Sequence, residues 1–211
     1  MLDFLRGRHL RSRLNHPRDE LWDRRLGVQT FGYVPAVREF SEPNWQGHYE
    51  PTPYGELFKM LRHVGVAGSD VFVDLGCGLG RAVFAAHHLG ARAAIGVEID
   101  ASLFAGAQRN LAQARMRRSG LDFQHKGADA FEPAGCTVVF VYNAFGTGTL
   151  ERVLDALKRD LARHPRDLRL VYFNPVHDSV VERAGFMARF DHWTKPEHLH
   201  PVSFWRATRP G

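Results

Sequence analysis

The chain has 211 residues, 44% of them hydrophobic and 24% charged, which fits a globular domain and excludes intrinsic disorder as a general description. Its longest apolar runs, such as 137–142, are far shorter than the roughly 20 residues of a membrane span, and no secretory signal is recognisable. Two distant cysteines, Cys77 and Cys136, show neither zinc-site spacing nor a sign of an oxidising compartment. We therefore expect a cytoplasmic protein without a membrane segment or a metal site.

The net charge is +5, and basic residues are concentrated at the start of the chain. Five arginines oppose one aspartate, Asp3, in this stretch: Arg6, Arg8, Arg11, Arg13 and Arg18. A solvated leader and an electrostatic footprint for an anionic partner both fit this pattern, although no nucleic-acid-binding motif accompanies it. Residues 1–50 are predicted to form a basic extension, or lid, over the carboxyl edge of a sheet in the domain 51–211. The extension also carries aromatic residues: Trp22, Phe31, Tyr33 and Trp45.

From residue 50 onward, short apolar runs alternate with segments of helical period. Thr52 is predicted to cap the first of these helices, with Pro53 at its first position. Asp100 is predicted to cap the helix after the second strand, and Gly120 to end it. The strands are predicted at 71–75, 93–97, 121–125, 137–142, 168–173, 186–190 and 202–207.

Alternation of helices with nearly continuous apolar strands is typical of a parallel sheet that helices cover on both faces. The last two strands have no clear helix between them, which predicts one antiparallel edge strand. The predicted fold is therefore α/β and doubly wound, with a mostly parallel, seven-stranded, Rossmann-like sheet and an N-terminal extension.

A glycine-rich segment, Asp74-Leu75-Gly76-Cys77-Gly78-Leu79-Gly80-Arg81, lies where the first strand turns into a helix. Ligands of open parallel sheets bind at the carboxyl ends of the strands, and glycines there let the backbone approach them closely. The dinucleotide fingerprint needs glycine where Arg81 stands, and the lysine of a P-loop is missing. The segment therefore disfavours NAD and excludes a P-loop, and Cys77 is interpreted as a small packing residue.

The pattern D-x-G-x-G-x-G resembles motif I of the class I S-adenosylmethionine-dependent methyltransferases. The resemblance implies S-adenosylmethionine as cofactor and S-adenosylhomocysteine as product. It assigns the motif I contacts to Asp74, Gly76, Gly78 and Gly80. Glu98, after the second strand, would accept from the ribose hydroxyls, and Asp129, beside Ala130, would contact the adenine amino group. Structural alternatives stay open: Asp74 as an acceptor for loop amides, Glu98 as a solvated strand end and Asp129 as a turn former.

Two further segments narrow the resemblance to one family within this superfamily. Tyr49-Glu50-Pro51 and Tyr54-Gly55-Glu56, ahead of motif I, are similar to segments of the non-SET histone lysine methyltransferases of the disruptor-of-telomeric-silencing family. That resemblance covers roughly residues 49–146, and the segment 27–30 before Tyr-Glu-Pro-Thr-Pro also resembles uncharacterised bacterial methyltransferases. It implies that the methionine end of the cofactor is covered by Tyr49, Thr52 and Glu56. Packing by Tyr49 and capping by Thr52 are the alternatives.

The loop after the fourth strand, 141–146, faces the transferred methyl group in this superfamily. By resemblance, Asn143 would hold an amine through its carbonyl oxygen. Aromatic side chains would stabilise the developing cation: Tyr142, Phe145 or Tyr172. Asn174 would line the acceptor pocket, while His177 and Asp178 are an alternative base pair for a hydroxyl acceptor.

The sequence thus predicts a methyltransferase that transfers a methyl group in line to an amine nitrogen of a protein side chain or a small molecule. A small-molecule O-methyltransferase is the nearest alternative. A non-catalytic cofactor-binding module that docks an acidic partner is the alternative from another class, and an NAD-dependent oxidoreductase rests on fold analogy alone.

Overall fold

The computed structural model describes residues 17–31, 49–133, 135–194 and 199–208. The helices in these ranges are α1 (17–26), α2 (Tyr54–His63), α3 (Arg81–His88), α4 (Ala101–Gln113), α5 (Thr147–Arg163) and α6 (Asp178–Arg183). A short 3₁₀ helix spans Ala128–Ala130. The strands are β1 (Val71–Leu75), β2 (Ala93–Glu98), β3 (Leu121–His125), β4 (Val138–Tyr142), β5 (Arg169–Phe173), β6 (Met187–Trp193) and β7 (Val202–Ala207).

The strands form one seven-stranded sheet in the order β3-β2-β1-β4-β5-β7-β6. Strands β1 to β5 pair in parallel, whereas β7 runs antiparallel to both of its neighbours, β5 and β6. The predicted doubly wound, mostly parallel fold is confirmed, with the antiparallel strand lying just inside the edge strand β6. Leu75 is in register with Val97 and Val141, so the carboxyl ends of the three central strands lie level. The strand order reverses at β1, where ligands of such sheets bind.

The core consists of two apolar clusters, one on each face of the sheet, because successive residues of a strand point to opposite faces. Phe72 and Phe140 belong to the cluster that α1 to α4 cover, and Val73 and Val139 belong to the cluster under α5 and α6. The sheet is therefore buried on both sides, as its nearly continuous apolar strands predicted.

Asp100 caps α4 as predicted, since its carboxylate accepts hydrogen bonds from the backbone amides of Ser102 and Leu103 at 2.8 and 3.0 Å. The predicted cap of α2 is wrong: Pro53 is the N-cap residue, and Thr52 lies buried ahead of it without capping.

The predicted end of α4 at Gly120 is also wrong, because the helix stops at Gln113. The Arg115 amide donates to the Leu26 carbonyl at 2.7 Å, so packing against the N-terminal segment draws the chain away from the helix axis. Gly120 instead makes the turn into β3, with a φ of +92°. Helix α6 was not among the predicted elements.

The N-terminal segment 17–31 packs on the α/β core. The Trp22 ring lies 4.7 Å from that of Phe58 in α2, and Leu26 and Val28 belong to the core cluster of α2 and α3. The remainder of the predicted lid, including Tyr33, Trp45 and the arginines ahead of residue 17, lies outside the described residues.

Candidate cofactor and acceptor site

Three positions of the loop between β1 and α3 require glycine. Its three glycines have left-handed backbone, with φ of +82° at Gly76, +55° at Gly78 and +90° at Gly80. A Cβ atom at Gly78 would lie 2.2 Å from Cε2 of Tyr49, and one at Gly76 would lie 2.4 Å from Cβ of Ala144. The loop is therefore held between the segment before α2 and the loop after β4, which brings both predicted halves of the site together.

Asp74, one residue before the end of β1, is a buried carboxylate with no hydrogen-bond donor among the described residues. It is 4% exposed, and burial raises its pKa well above the usual range, with the neighbouring Glu98 acting in the same direction. The loop amides of Gly76 and Cys77 donate to the Val97 carbonyl at 2.8 and 3.0 Å, not to Asp74. An acceptor in this state can take a donor from a ligand, and the contact of Asp74 with the cofactor stays a prediction.

Glu98, at the end of β2, joins the glycine loop to the start of α4. Its Oε2 accepts from the Gly78 amide and its Oε1 from the Asp100 amide, each at 2.8 Å. Burial raises its pKa, and these two amides oppose the rise. Glu98 is thus no solvated strand end, and each oxygen keeps a lone pair for another donor.

Asp129 and Ala130 lie in the exposed 3₁₀ helix that follows β3. The Asp129 carboxylate pairs with Arg152 of α5, with 2.9 Å between Oδ2 and Nε and both side chains substantially exposed. The structure therefore gives Asp129 a protein partner at the surface, and its role toward adenine stays a prediction.

The three residues expected at the methionine end lie in the chain just before and at the start of α2. The Tyr49 hydroxyl donates to the Thr30 carbonyl at 2.7 Å, and its ring contacts the glycine loop at Gly78. Thr52 is buried and its carbonyl accepts from Arg81, while Glu56 lies 3.3 Å from Lys59. Their contacts to the cofactor stay predictions.

Two asparagines with strained backbone stand at the acceptor side. Among the described residues they are the non-glycine residues with positive φ, at +39° for Asn143 and +53° for Asn174. They follow the adjacent strands β4 and β5, and each is held by a neighbour. Ala144 contacts Gly76, and the Asn174 amide donates to the Pro201 carbonyl at 2.9 Å. Strain of this kind persists where the surrounding structure enforces it, and it is typical of functional sites.

The predicted aromatic side chains lie in different places. Tyr142 packs 4.6 Å from the Phe173 ring and 5.7 Å from the buried His200, on the face of α1 to α4. Phe145 packs against the opposite cluster. Tyr172 is only 1% exposed, and burial raises its pKa to about 12, so its predicted contact with the acceptor is wrong.

The interpretation of Asp178 as part of a base pair is contradicted by its contacts. Its Oδ2 accepts from Ser203 at 2.7 Å and from Arg189 at 2.9 Å, and its Oδ1 accepts from Trp205 at 3.1 Å. Asp178 therefore joins α6 to β6 and β7, which leaves His177 without the carboxylate partner that the hydroxyl-acceptor hypothesis requires.

A buried ionic network behind the glycine loop was missed by the sequence analysis. Arg81, 3% exposed, donates through Nη1 to Asp19 and through Nε to the Thr30 hydroxyl, both at 2.8 Å. Asp23 accepts from Thr30, Phe31 and the Tyr54 hydroxyl, and lies 3.9 Å from Arg81. The available signal was a pair of aspartates four residues apart in a helical segment, together with an arginine at the fingerprint glycine position.

The described residues contain no group of three His, Cys, Asp or Glu side chains placed to hold a metal ion. Cys77 and Cys136 are both buried and free, and burial raises both thiol pKa values. No helix in the described ranges is long and apolar enough to cross a membrane.

Comparisons with solved structures give the same fold at low identity. An RNA methyltransferase from Salinibacter ruber, in complex with S-adenosylhomocysteine, is 24% identical over 76% of this chain and 95% of its own, with a TM-score of 0.57. The tRNA methyltransferase TrmK of Bacillus subtilis is 18% identical over 71% and 66%, with a TM-score of 0.57. Magnesium protoporphyrin IX methyltransferase of Synechocystis, with bound S-adenosylmethionine, is 14% identical over 74% and 79%, with a TM-score of 0.55.

No curated protein sequence matches the chain. The family model described as histone methylation protein DOT1 matches residues 44–171, which include the glycine loop and the Asn143 loop. Both predicted resemblances, to class I methyltransferases and to this family, are confirmed. The chain therefore belongs to the DOT1 family and is an S-adenosylmethionine-dependent methyltransferase.

Proposed function

We propose that the enzyme methylates an amine nitrogen, on a protein side chain or on a small molecule, with a protein lysine as the acceptor to test first. The observation that carries the proposal is the Asn143 loop. Its strained asparagine is fixed against the glycine loop by the contact between Ala144 and Gly76. With the backbone fixed in this way, the side-chain amide oxygen of Asn143 can accept a hydrogen bond from the acceptor nitrogen and orient its lone pair.

The residues at the carboxyl ends of β1 and β2 fit S-adenosylmethionine. Asp74 offers a buried carboxylate that has no donor among the described residues, and Glu98 offers a second whose oxygens keep lone pairs for further donors. The glycine loop between them has no room for side chains at Gly76 and Gly78, so backbone borders the space. We assign the binding of the amino and ribose groups to this arrangement.

When bound, the cofactor supplies a methyl group on a cationic sulfur, which is a good leaving group. The chain's own residues then have to orient the acceptor and exclude water, and no strong base is required. A lysine amine has an ordinary pKa of about 10.4, so its neutral fraction near pH 7 is small. Because Asp178 is bound to Ser203 and Trp205, we expect the neutral amine to come from the solution equilibrium.

Transfer of tritium from methyl-labelled S-adenosylmethionine to core histones tests the proposal, with the same histones acetylated on their lysines as the blocked control. We expect label on the unmodified histones only, and a rate that rises with pH as the amine deprotonates. Small primary amines are tested as acceptors in a second experiment, because the chemistry of the site does not distinguish them from a lysine side chain.

Asn143→Ala should lower kcat at least about tenfold, because a hydrogen bond that positions the acceptor in the transition state is lost. The affinity for S-adenosylhomocysteine should change little. Label recovered as a methyl ether of a hydroxyl group, and not on nitrogen, would contradict N-methylation. An unchanged kcat for the Asn143 variant would contradict its role in holding the acceptor.

A further inference from the structure

A basic surface lies at the end of the molecule opposite the cofactor site. Helix α3 begins at the glycine loop and ends at His87 and His88, so its 8 residues separate the two ends by about 12 Å. Arg92 stands just before β2 at the same end. We name this region the arginine surface, and its members are Arg24, Arg25, Arg62, His87, His88, Arg92, Arg115 and Arg117.

One part of the arginine surface is a cleft of about 400 Å³ with His87, Arg92, Arg117 and Ser119 in its lining. The lining contains no acidic residue. His87 Nε2 lies 2.8 Å from the Arg117 carbonyl, so this nitrogen donates and holds the arginine backbone in place. The other ring nitrogen, Nδ1, is buried without a partner among the described residues.

A second part adjoins it along α1 and the ends of α2 and α3. The Arg25 guanidinium lies 5.4 Å from the centre of the Trp22 ring, and Arg62 lies 5.4 Å from that of Phe58. His88 packs against the same two rings, and burial together with these two arginines lowers its pKa. The aromatic rings thus fix the positions of two exposed guanidinium groups side by side.

The positive charge of this surface is scarcely neutralised within the described residues. Arg24, beside Arg115 in the fold, has Glu20 at 3.9 Å with both side chains exposed. Asp191 of β6, near the end of α2, pairs with His63 at 2.8 Å. No ion pair within the described residues involves the other arginines of the surface.

We propose that the arginine surface binds the phosphate backbone of a nucleic acid. Guanidinium groups pair with phosphate through two parallel hydrogen bonds, and all the permanent cations of this surface are arginines, some held over aromatic rings. The cleft adds a hydroxyl and further guanidinium donors in a concave site. A polyanion is long enough to bridge the cleft and the α1 side, which a single phosphate is not.

Fluorescence anisotropy with a labelled single-stranded RNA of about 20 nucleotides tests this on the full chain. The test variant is Arg92→Glu with Arg117→Glu. The matched control is Arg159→Glu with Arg163→Glu, which makes the same charge change on exposed positions of α5. A milder pair, Arg92→Gln with Arg117→Gln, guards against a folding defect, and S-adenosylhomocysteine affinity reports on the fold. The basic leader is the same in every variant.

We expect the test variant to bind RNA at least about tenfold more weakly at about 50 mM salt, with the salt slope of log K reduced by about 1.4 for two lost phosphate contacts. The glutamine pair should lose part of that affinity, and the α5 control should lose little. Equal losses in the test and control variants would overturn the proposal. So would tighter binding of polyglutamate than of RNA through the same arginines, since that would mark a surface for acidic proteins.

Discussion

Two buried aspartates near the glycine loop have opposite surroundings. Asp23 accepts hydrogen bonds from the amide and hydroxyl of Thr30, the amide of Phe31 and the hydroxyl of Tyr54, with Arg81 at 3.9 Å. Asp74 accepts none from the described part of the chain and is as deeply buried. The first carboxylate has its donors from the fold, whereas the second has none from the described residues, and we propose that the cofactor supplies one.

The comparison distinguishes buried carboxylates that support the fold from those that are available to bind a ligand. A carboxylate with a full set of donors stabilises the fold, and its loss should damage stability first. A carboxylate without donors destabilises the ligand-free fold, and its loss should damage binding first. Four substitutions or conditions can break or sharpen this contrast.

The largest expected effect is that of Arg81→Ala. It leaves Asp19 and Asp23 buried without their cation, which should lower the free energy of unfolding by about 3–5 kcal/mol. Denaturant titration measures the loss. The control is Arg152→Ala, which breaks an exposed ion pair and should change stability by less than about 1 kcal/mol. Equal losses would show that the buried network has no special structural role.

Gly78→Ala should come next, because the φ of +55° is strained for alanine and the new Cβ would meet the Tyr49 ring. We expect a loss of about 1–3 kcal/mol in stability and weaker binding of S-adenosylhomocysteine. Gly55→Ala is the control: this helical position has open space around its Cβ, so alanine should stabilise by about 0.5–1 kcal/mol. Thermal unfolding measures the change in stability, and titration calorimetry measures the change in binding. Normal binding by the Gly78 variant would contradict the account.

Asp74→Asn should have opposite effects on stability and binding. It replaces a carboxyl group whose ionised form is disfavoured by burial, so at neutral pH the ligand-free protein should gain about 1–3 kcal/mol in stability while S-adenosylhomocysteine binds at least about tenfold more weakly. Asp23→Asn, the matched change in the completed site, should instead lower stability. If Asp74→Asn lost stability and bound S-adenosylhomocysteine normally, the assignment of Asp74 to ligand binding would be wrong.

The pH dependence of the ligand-free protein should be the smallest effect. The pKa of Asp74 is raised in the folded state, so the unfolded chain releases this proton first, from about pH 4 upward. The contribution of Asp74 to stability is therefore present at low pH and is lost as pH rises toward its folded pKa. Unfolding curves from about pH 4 upward should show this downward slope in the wild type. Asp74→Asn should have a shallower slope, which comes from Asp19 and Glu98, whose pKa values are also raised. An identical slope in both proteins would show that the slope arises from groups other than Asp74.

The elements that could be predicted from the sequence are those with strong local signals. The apolar run of β7 matched its observed bounds, Val202–Ala207, and Asp100 lies where a capping residue is needed. The acids at the carboxyl ends of β1 and β2 and the asparagine after β4 could also be located, because parallel strands end at one edge of the sheet.

The features that could not be predicted depend on contacts between distant residues. Helix α4 ends early because the Arg115 amide donates a hydrogen bond to the carbonyl of Leu26, which is far away in the sequence. From the sequence, Arg81 served only as an argument against NAD binding. Its ion pair could not be predicted, because its partner Asp19 is 62 residues away in the chain. Tyr172 points into the core because the alternation of β5 places it there, and a strand buried on both faces gives no outward signal.

The central claim is that the incomplete carboxylate site at β1 and β2 binds S-adenosylmethionine. Isothermal titration calorimetry of the purified protein with S-adenosylmethionine, S-adenosylhomocysteine and NAD tests it most directly, with Asp74→Asn alongside. We predict micromolar binding of the first two ligands, none of NAD, and at least about tenfold weaker binding by the variant. No binding of either sulfur compound by the folded protein, or binding that Asp74→Asn leaves unchanged, would contradict the account.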